Sequence, residues 1–140
     1  MHGFAALALI LFPTTPAGAQ KRPTVEDRDA CIVSVVEQFV ATINDFVQTA
    51  KTERGSGSYA AAGNPKSFAL CIDWGRSTSR VRRGTGYGFA TGADRPDSRA
   101  LDWCREGKGS KDGTCQCEIV HRNGFAAISF PNGWLEQQCR

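Results

Sequence analysis

The chain has 140 residues, 41% of them hydrophobic, and carries 17 Lys and Arg against 14 Asp and Glu, for a net charge of +3. That length supports one domain with a modest core, and so mild a basic excess is far from the composition of a nucleic-acid-binding chain, though it suits contact with an anionic surface. Six cysteines, an even count, point to a bridged protein in an oxidising compartment.

Residues 4–12 are almost wholly apolar, Pro13 and Pro16 follow, and Ala17-Gly18-Ala19 matches the cleavage signature of a secretory signal peptide. The run is about half the length of a membrane span. Only His2 and the amino terminus place positive charge ahead of it. Removal of 1–19 is expected to leave an exported chain that starts at Gln20, keeps every cysteine and has no further span.

Thr24 and Asp27 form an approximate capping box, with Asp in place of the usual Glu or Gln. Beyond them Ile32, Val33, Val36, Phe39, Val40, Ile43, Phe46, Val47 and Ala50 recur at helical spacing. The spacing predicts a helix within 20–53, roughly 40 Å long, with a stripe broad enough to pack on a core. Cys31 falls opposite that stripe, so its partner is expected from a segment crossing the outside, with Cys139 at the carboxyl end as the candidate. Residues 54–66, rich in Gly, Ser and Ala, read as a flexible linker.

Phe68, Leu70, Ile72 and Trp74 alternate with Ala69, Cys71 and Asp73, which predicts a half-buried strand over 67–74. Residues 75–83 form a basic loop or strand end. Over 85–91, Tyr87 and Phe89 alternate with Gly86, Gly88 and Ala90, a face small enough for another backbone to approach. The element expected there is a short helix after Pro96, with Ala100, Leu101 and Cys104 at helical spacing and Asp94 or Asp97 as its cap.

A polar, mobile loop at 108–114 leads into two strand-like runs around Asn123-Gly124, the signature of a type I′ hairpin. Closing a two-residue loop there pairs His121 with Ala126, Ile119 with Ile128 and Cys117 with Phe130. One core face then holds Cys117, Ile119, Ala126, Ile128 and Phe130, with His121 at its solvent end. Residues 132–140 are a tail carrying Trp134-Leu135 and tethered by Cys139. The predicted class is α+β: a long N-terminal helix, then a small ββαββ domain over 67–131 with an antiparallel sheet, stapled by up to three disulfides.

The runs A-L-x-x-C at 100–104, C-E-I-V at 117–120 and R-N-x-x-A-A at 122–127, preceded by two short strands, resemble the DUF4189 family of small secreted bacterial proteins over about 67–131. The resemblance implies a ββαββ domain, an exported location and a bridge between Cys104 and Cys117, and it transfers no activity. Gly124-Phe125 stand where the family pattern has a cysteine after Asn123, and Cys115 is extra. The pairing of the other cysteines, Cys71 and Cys115 among them, stays open.

Several motifs with chemical potential fall to geometry. Cys104, Cys115, Cys117 and His121 could be written as a zinc site, yet Cys117 and His121 stand about 13 Å apart along a strand, whereas ligands of one zinc lie within about 4 Å of each other. Cys115-x-Cys117 starts a strand and lacks the helix N-terminus that activates a redox thiol. Gly84-x-Gly86-x-Gly88 has no following Lys-Ser/Thr and opens no helix, so no cofactor is expected. His121 is the only histidine after residue 19, and no Ser or Cys can be set beside it with an orienting carboxylate. Asp73, Asp94, Asp97, Asp102, Glu106 and Glu118 could serve a glycosidase, but none lies in an apolar stretch that would raise its pKa.

What remains is the cluster Arg76, Arg80, Arg82 and Arg83, joined in composition by Arg95 and Arg99. Guanidinium groups so grouped recognise anions. The expectation is an interaction protein of the periplasm or exterior that contacts an acidic protein or an anionic envelope polymer through these arginines, with Trp74 and Tyr87 exposed beside them. A small envelope hydrolase using His121 or carboxylates is one alternative. A structural envelope component whose helix packs on a partner is another.

Overall fold

The computed structural model describes residues 22–50, 57–92 and 94–140, so the segment at 1–19 expected to be a signal peptide lies outside the described residues. The capping box forms: Thr24 N–H donates to Asp27 Oδ2 at 2.9 Å and Asp27 N–H to Thr24 Oγ1 at 3.1 Å, and α1 (Val25–Thr49) begins there. Its buried positions are Val35, Phe39, Ile43 and Val47, flanked by the partly buried Ile32 and Phe46. The packed face is therefore turned from the centre of the sequence stripe: Val33 is 55% exposed. Cys31, one turn before Val35, belongs to the packed side and not to the opposite one. It bridges Cys139, which is buried.

By length and composition α1 is apolar enough to cross a membrane. The residues that make it so include Phe39, Ile43 and Val47, which share a core with the sheet. That is the arrangement of a helix covering a sheet face.

The sheet has the order β2-β1-β3-β4, built from β1 (Lys66–Ile72), β2 (Arg83–Thr91), β3 (Gln116–Arg122) and β4 (Phe125–Ala126), each pair antiparallel. Because β2 and β3 both run against β1, α2 (Pro96–Gly107) must cross β1 to join them. It lies on the face opposite α1. β1 is accordingly buried at all seven positions, on both faces and not on one. Phe68, Leu70 and Ile72 enter the core beneath α1 with Phe89, Val120 and Tyr59, while Ala69 and Cys71 meet Ala90, Ala100, Cys104 and Cys115 beneath α2.

The α2 side is thin because the strands are small there. A Cβ on Gly88 would lie 2.7 Å from both the Ala100 carbonyl and the Cys104 nitrogen, and one on Gly86 would lie 2.5 Å from the Cys104 carbonyl. The helix thus uses the close approach those residues permit. Its start differs from expectation: Arg95 occupies the N-cap in left-handed conformation (φ 49°) and makes no side-chain cap. Asp97 is engaged elsewhere, accepting from Ser67 Oγ and Arg122.

The hairpin is shorter than its sequence implied. His121 pairs with Ala126 and Arg122 with Phe125, Ala127 N–H donates to the Val120 carbonyl, and the Ile119–Ile128 and Cys117–Phe130 pairs do not form. Residues 116–122 take their main partner from β1 instead. Ala126 is exposed, while Ile128 and Phe130 turn to pack against the core under α1. A register shift where Phe68 faces His121 and Ala69 faces Ile119 breaks the alternation of β3, as a bulge does. Ile119 stays on the α2 side, and His121 joins Phe68 on the α1 side.

Two segments read as loose, 54–66 and 108–114, are pinned at described residues, which in the first begin at 57. Tyr59, within the supposed linker, is buried against Phe68 and Phe89. In the 108–114 loop, Asp112 accepts from the backbone N–H groups of Thr85 at 2.7 Å and Gly109 at 3.0 Å. The tail forms α3 (Trp134–Gln138), whose Trp134 is buried and donates from Nε1 to the Trp74 carbonyl at 3.1 Å. Three disulfides close the molecule: Cys31–Cys139, Cys71–Cys115 and Cys104–Cys117.

Candidate functional site: the basic turn between β1 and β2

The connection from β1 to β2 is organised by Asp73. Its backbone N–H donates to the Arg82 carbonyl at 2.8 Å, and its carbonyl accepts from Ser77 N–H and Oγ at 2.9 and 2.7 Å. Its carboxylate accepts from Thr114 Oγ1 at 2.6 Å and from Arg76 Nε at 2.7 Å. Ser77 Oγ in turn accepts from Arg82 N–H at 2.9 Å. An Asp that gathers backbone and side-chain donors in this way fixes a turn. These bonds, Thr114 first and then Arg76, hold the Asp73 carboxyl below its ordinary pKa against the opposing effect of desolvation.

The four arginines then have different fates. Arg76 is tied to Asp73. The Arg83 guanidinium lies 4.1 Å over the centre of the Phe46 ring, so a cation–π contact sets it against α1. Arg80 and Arg82 are exposed, and no carboxylate among the described residues pairs with either. The turn is a fixed frame that presents two unneutralised guanidinium groups, with a third beside them.

The neighbours differ from those expected. Trp74 is half-buried, stacked on Phe39 with ring centroids 5.3 Å apart, and Tyr87 stacks on Phe68. Neither is an open aromatic face. Arg95 and Arg99 lie past the far end of β2, which at about 3.3 Å per residue is about 25 Å from the turn, so the structure does not join them to the cluster.

The other chemical candidates are placed as follows. His121 is buried, not at a solvent end, and its Nδ1 lies 3.1 Å from Tyr59 Oη. Burial, aided by the Lys66 charge, lowers its pKa. No cysteine is free and, among the described residues, no group of His, Cys, Asp or Glu is placed to hold a metal ion. Asp97 is held below the ordinary carboxylate range, chiefly by Arg122.

Glu118 corrects the expectation that no carboxyl has an apolar setting: burial raises its pKa, opposed by the Trp74 Nε1–H that donates to its Oε1 at 2.7 Å. Sequence could not show this, because Trp74 and the strand partner Leu70 reach Glu118 only through the β1–β3 pairing. No family model, no curated protein and no solved structure matches the chain.

Proposed function

We propose that this chain is a small exported binding module of the bacterial envelope that engages an anionic partner, an acidic protein or a polyanionic envelope polymer, through Arg80, Arg82 and Arg83. The observation that carries this reading is the pairing of rigidity with unspent charge. Asp73, Ser77 and Thr114 anchor the turn, and yet Arg80 and Arg82 face solvent with no carboxylate among the described residues beside them. An arginine whose backbone is fixed by the turn has only its side chain to order on binding, whereas one on a mobile loop must order both, so more of its charge-assisted hydrogen bonding is realised as affinity. Three disulfides fit an oxidising, exported setting. The observed order β1-β2-α2-β3-β4 is also the ββαββ order implied by the resemblance to the DUF4189 family, and membership of that family is part of the proposal.

The test is retention of the purified protein on an immobilised anionic polysaccharide and on an acidic peptide resin, across a salt gradient. Replacing Arg80 and Arg82 together by Ala should lower the eluting salt markedly while changing unfolding free energy by no more than about 0.5 kcal/mol, as for exposed surface positions. Unaltered retention of that variant on both matrices would overturn the assignment. Retention on one alone identifies the class of partner.

A further inference from the structure

A cleft of about 460 Å³ opens where the start of β1, the end of β3 and the first turn of α2 meet, at the end of the sheet remote from the basic turn. That volume is within the range of small-molecule sites and larger than a bare ion requires. Its charged lining is lopsided: Lys66, Arg95 and Arg122 stand against Asp97 alone. Lys66 is buried, and its Nζ donates to the carbonyls of Tyr59, Ala60 and Ala62 at 3.0, 3.3 and 2.8 Å and lies 4.7 Å over the Tyr59 ring, so its side chain is engaged by the 59–62 segment and leaves the anion contacts to the two arginines. Arg122 gives Nε and Nη2 to Asp97 Oδ2 at 2.9 and 2.8 Å, which neutralises the one carboxylate and orients the guanidinium. Arg95 pairs with no carboxylate among the described residues. Pro65 and Pro96 supply apolar wall.

We propose that this cleft binds a small organic anion, its carboxylate or phosphate held by Arg95 and Arg122 and its apolar body set against Pro65 and Pro96. Guanidinium groups are the side chains best matched to an oxyanion, and Arg122 is already oriented by its bonds to Asp97. The site is independent of the basic turn and stands or falls separately from it.

The experiment is an NMR titration of the 15N-labelled full chain, at constant ionic strength, with inorganic phosphate, N-acetylalanine and N-acetylalanine amide. Saturable shifts at the amides of Lys66, Ser98 and Asn123 are expected with at least one of the two anions and not with the neutral amide. Whichever anion saturates the cleft identifies a phosphate or a carboxylate ligand.

Arg95→Gly should weaken binding about tenfold or more, as truncation of one charged contact does. It should not lower the melting temperature, because glycine adopts a φ of 49° without the clash that a Cβ brings. Should it lower it, Arg95→Gln reads the same loss of affinity with side-chain length kept. The paired Arg80 and Arg82 alanine variant should bind as the wild type does. Shifts that never saturate, an equal response to the amide, or unchanged affinity when Arg95 is replaced would overturn the proposal.

Discussion

His121 shows how far a residue's role depends on one extra residue in a strand. Simple alternation sets it beside Ile119, but the register shift on β3 turns it to the α1 side, where Tyr59 closes over it. In that setting the neutral imidazole is favoured, by burial first and the Lys66 charge second. The consequence for stability has a definite sign. Below the ordinary histidine pKa of about 6.5 the unfolded chain takes up a proton that the folded chain resists, so stability should fall as pH drops through that value and on toward the lower folded one. Glu118 acts in the opposite sense: its raised pKa adds stability at low pH that is lost as pH rises through the folded value.

Urea unfolding of the wild type and of His121→Gln from about pH 7 to about pH 5 separates the two, since that is the range in which a histidine changes charge. The variant should show a flatter acid limb, and with Glu118→Gln the wild-type fall should steepen. Parallel curves for wild type and His121→Gln would show that His121 does not set the limb.

At the scale of elements, the α2 face of the sheet depends on what is missing from β2. The sequence marked Gly86, Gly88 and Ala90 as a face open to close approach, and the structure places the backbone of α2 there. Gly88→Ala would drive a methyl group into the Ala100 carbonyl, the Cys104 nitrogen and the Trp103 Cβ, all backbone or rigidly placed atoms. Overpacking of that kind costs about 1–3 kcal/mol. Gly113→Ala, which meets nothing within 4 Å, is the matched control. Equal unfolding free energies for the two variants would mean that α2 is not seated as described.

The hairpin illustrates the converse. Asn123-Gly124 fixed the turn, with φ of 50° and 91°, but a turn signal does not set how far the strands run on. β1, with both faces to bury, took β3 as its neighbour. The residues after Ala127 left to fill the core under α1, and Phe125 remained 76% exposed at the tip.

The whole molecule is three layers, helix, sheet and helix, with a disulfide system on each side. Cys71–Cys115 and Cys104–Cys117 clamp the thin α2 layer, whose apolar side chains are small. On the other side Cys31–Cys139, spanning 108 residues, joins the first turns of α1 to the end of α3. There Trp134 packs edge-on against Phe39 and Trp74, with centroids 5.6 and 5.2 Å apart. Replacing Cys31 and Cys139 by Ala should cost roughly 2–4 kcal/mol, as loss of a long-loop bridge does. It should also weaken the near-ultraviolet circular dichroism of the tryptophan cluster before the sheet unfolds. A single coincident transition at wild-type denaturant concentration would exclude that role for the bridge.

The sequence by itself determined the local and periodic features: the capping box at Thr24, the long apolar-striped helix, the alternation on β1 and β2, the Asn-Gly turn, and hence the α+β class with an antiparallel sheet. These rest on backbone preference and side-chain period, which act within a few residues. Tertiary structure alone decided which face of α1 is packed, that β1 is covered on both sides, that Tyr59 and the tail belong to the core, and where the bulge turns His121. It also decided which charges remain unspent. Arg76 and Arg80 look alike in sequence, and only the buried Asp73 at the end of β1 makes one a brace of the turn and leaves the other facing solvent. Burial and ion pairing are sums over segments distant in the chain, and no local pattern carries that information.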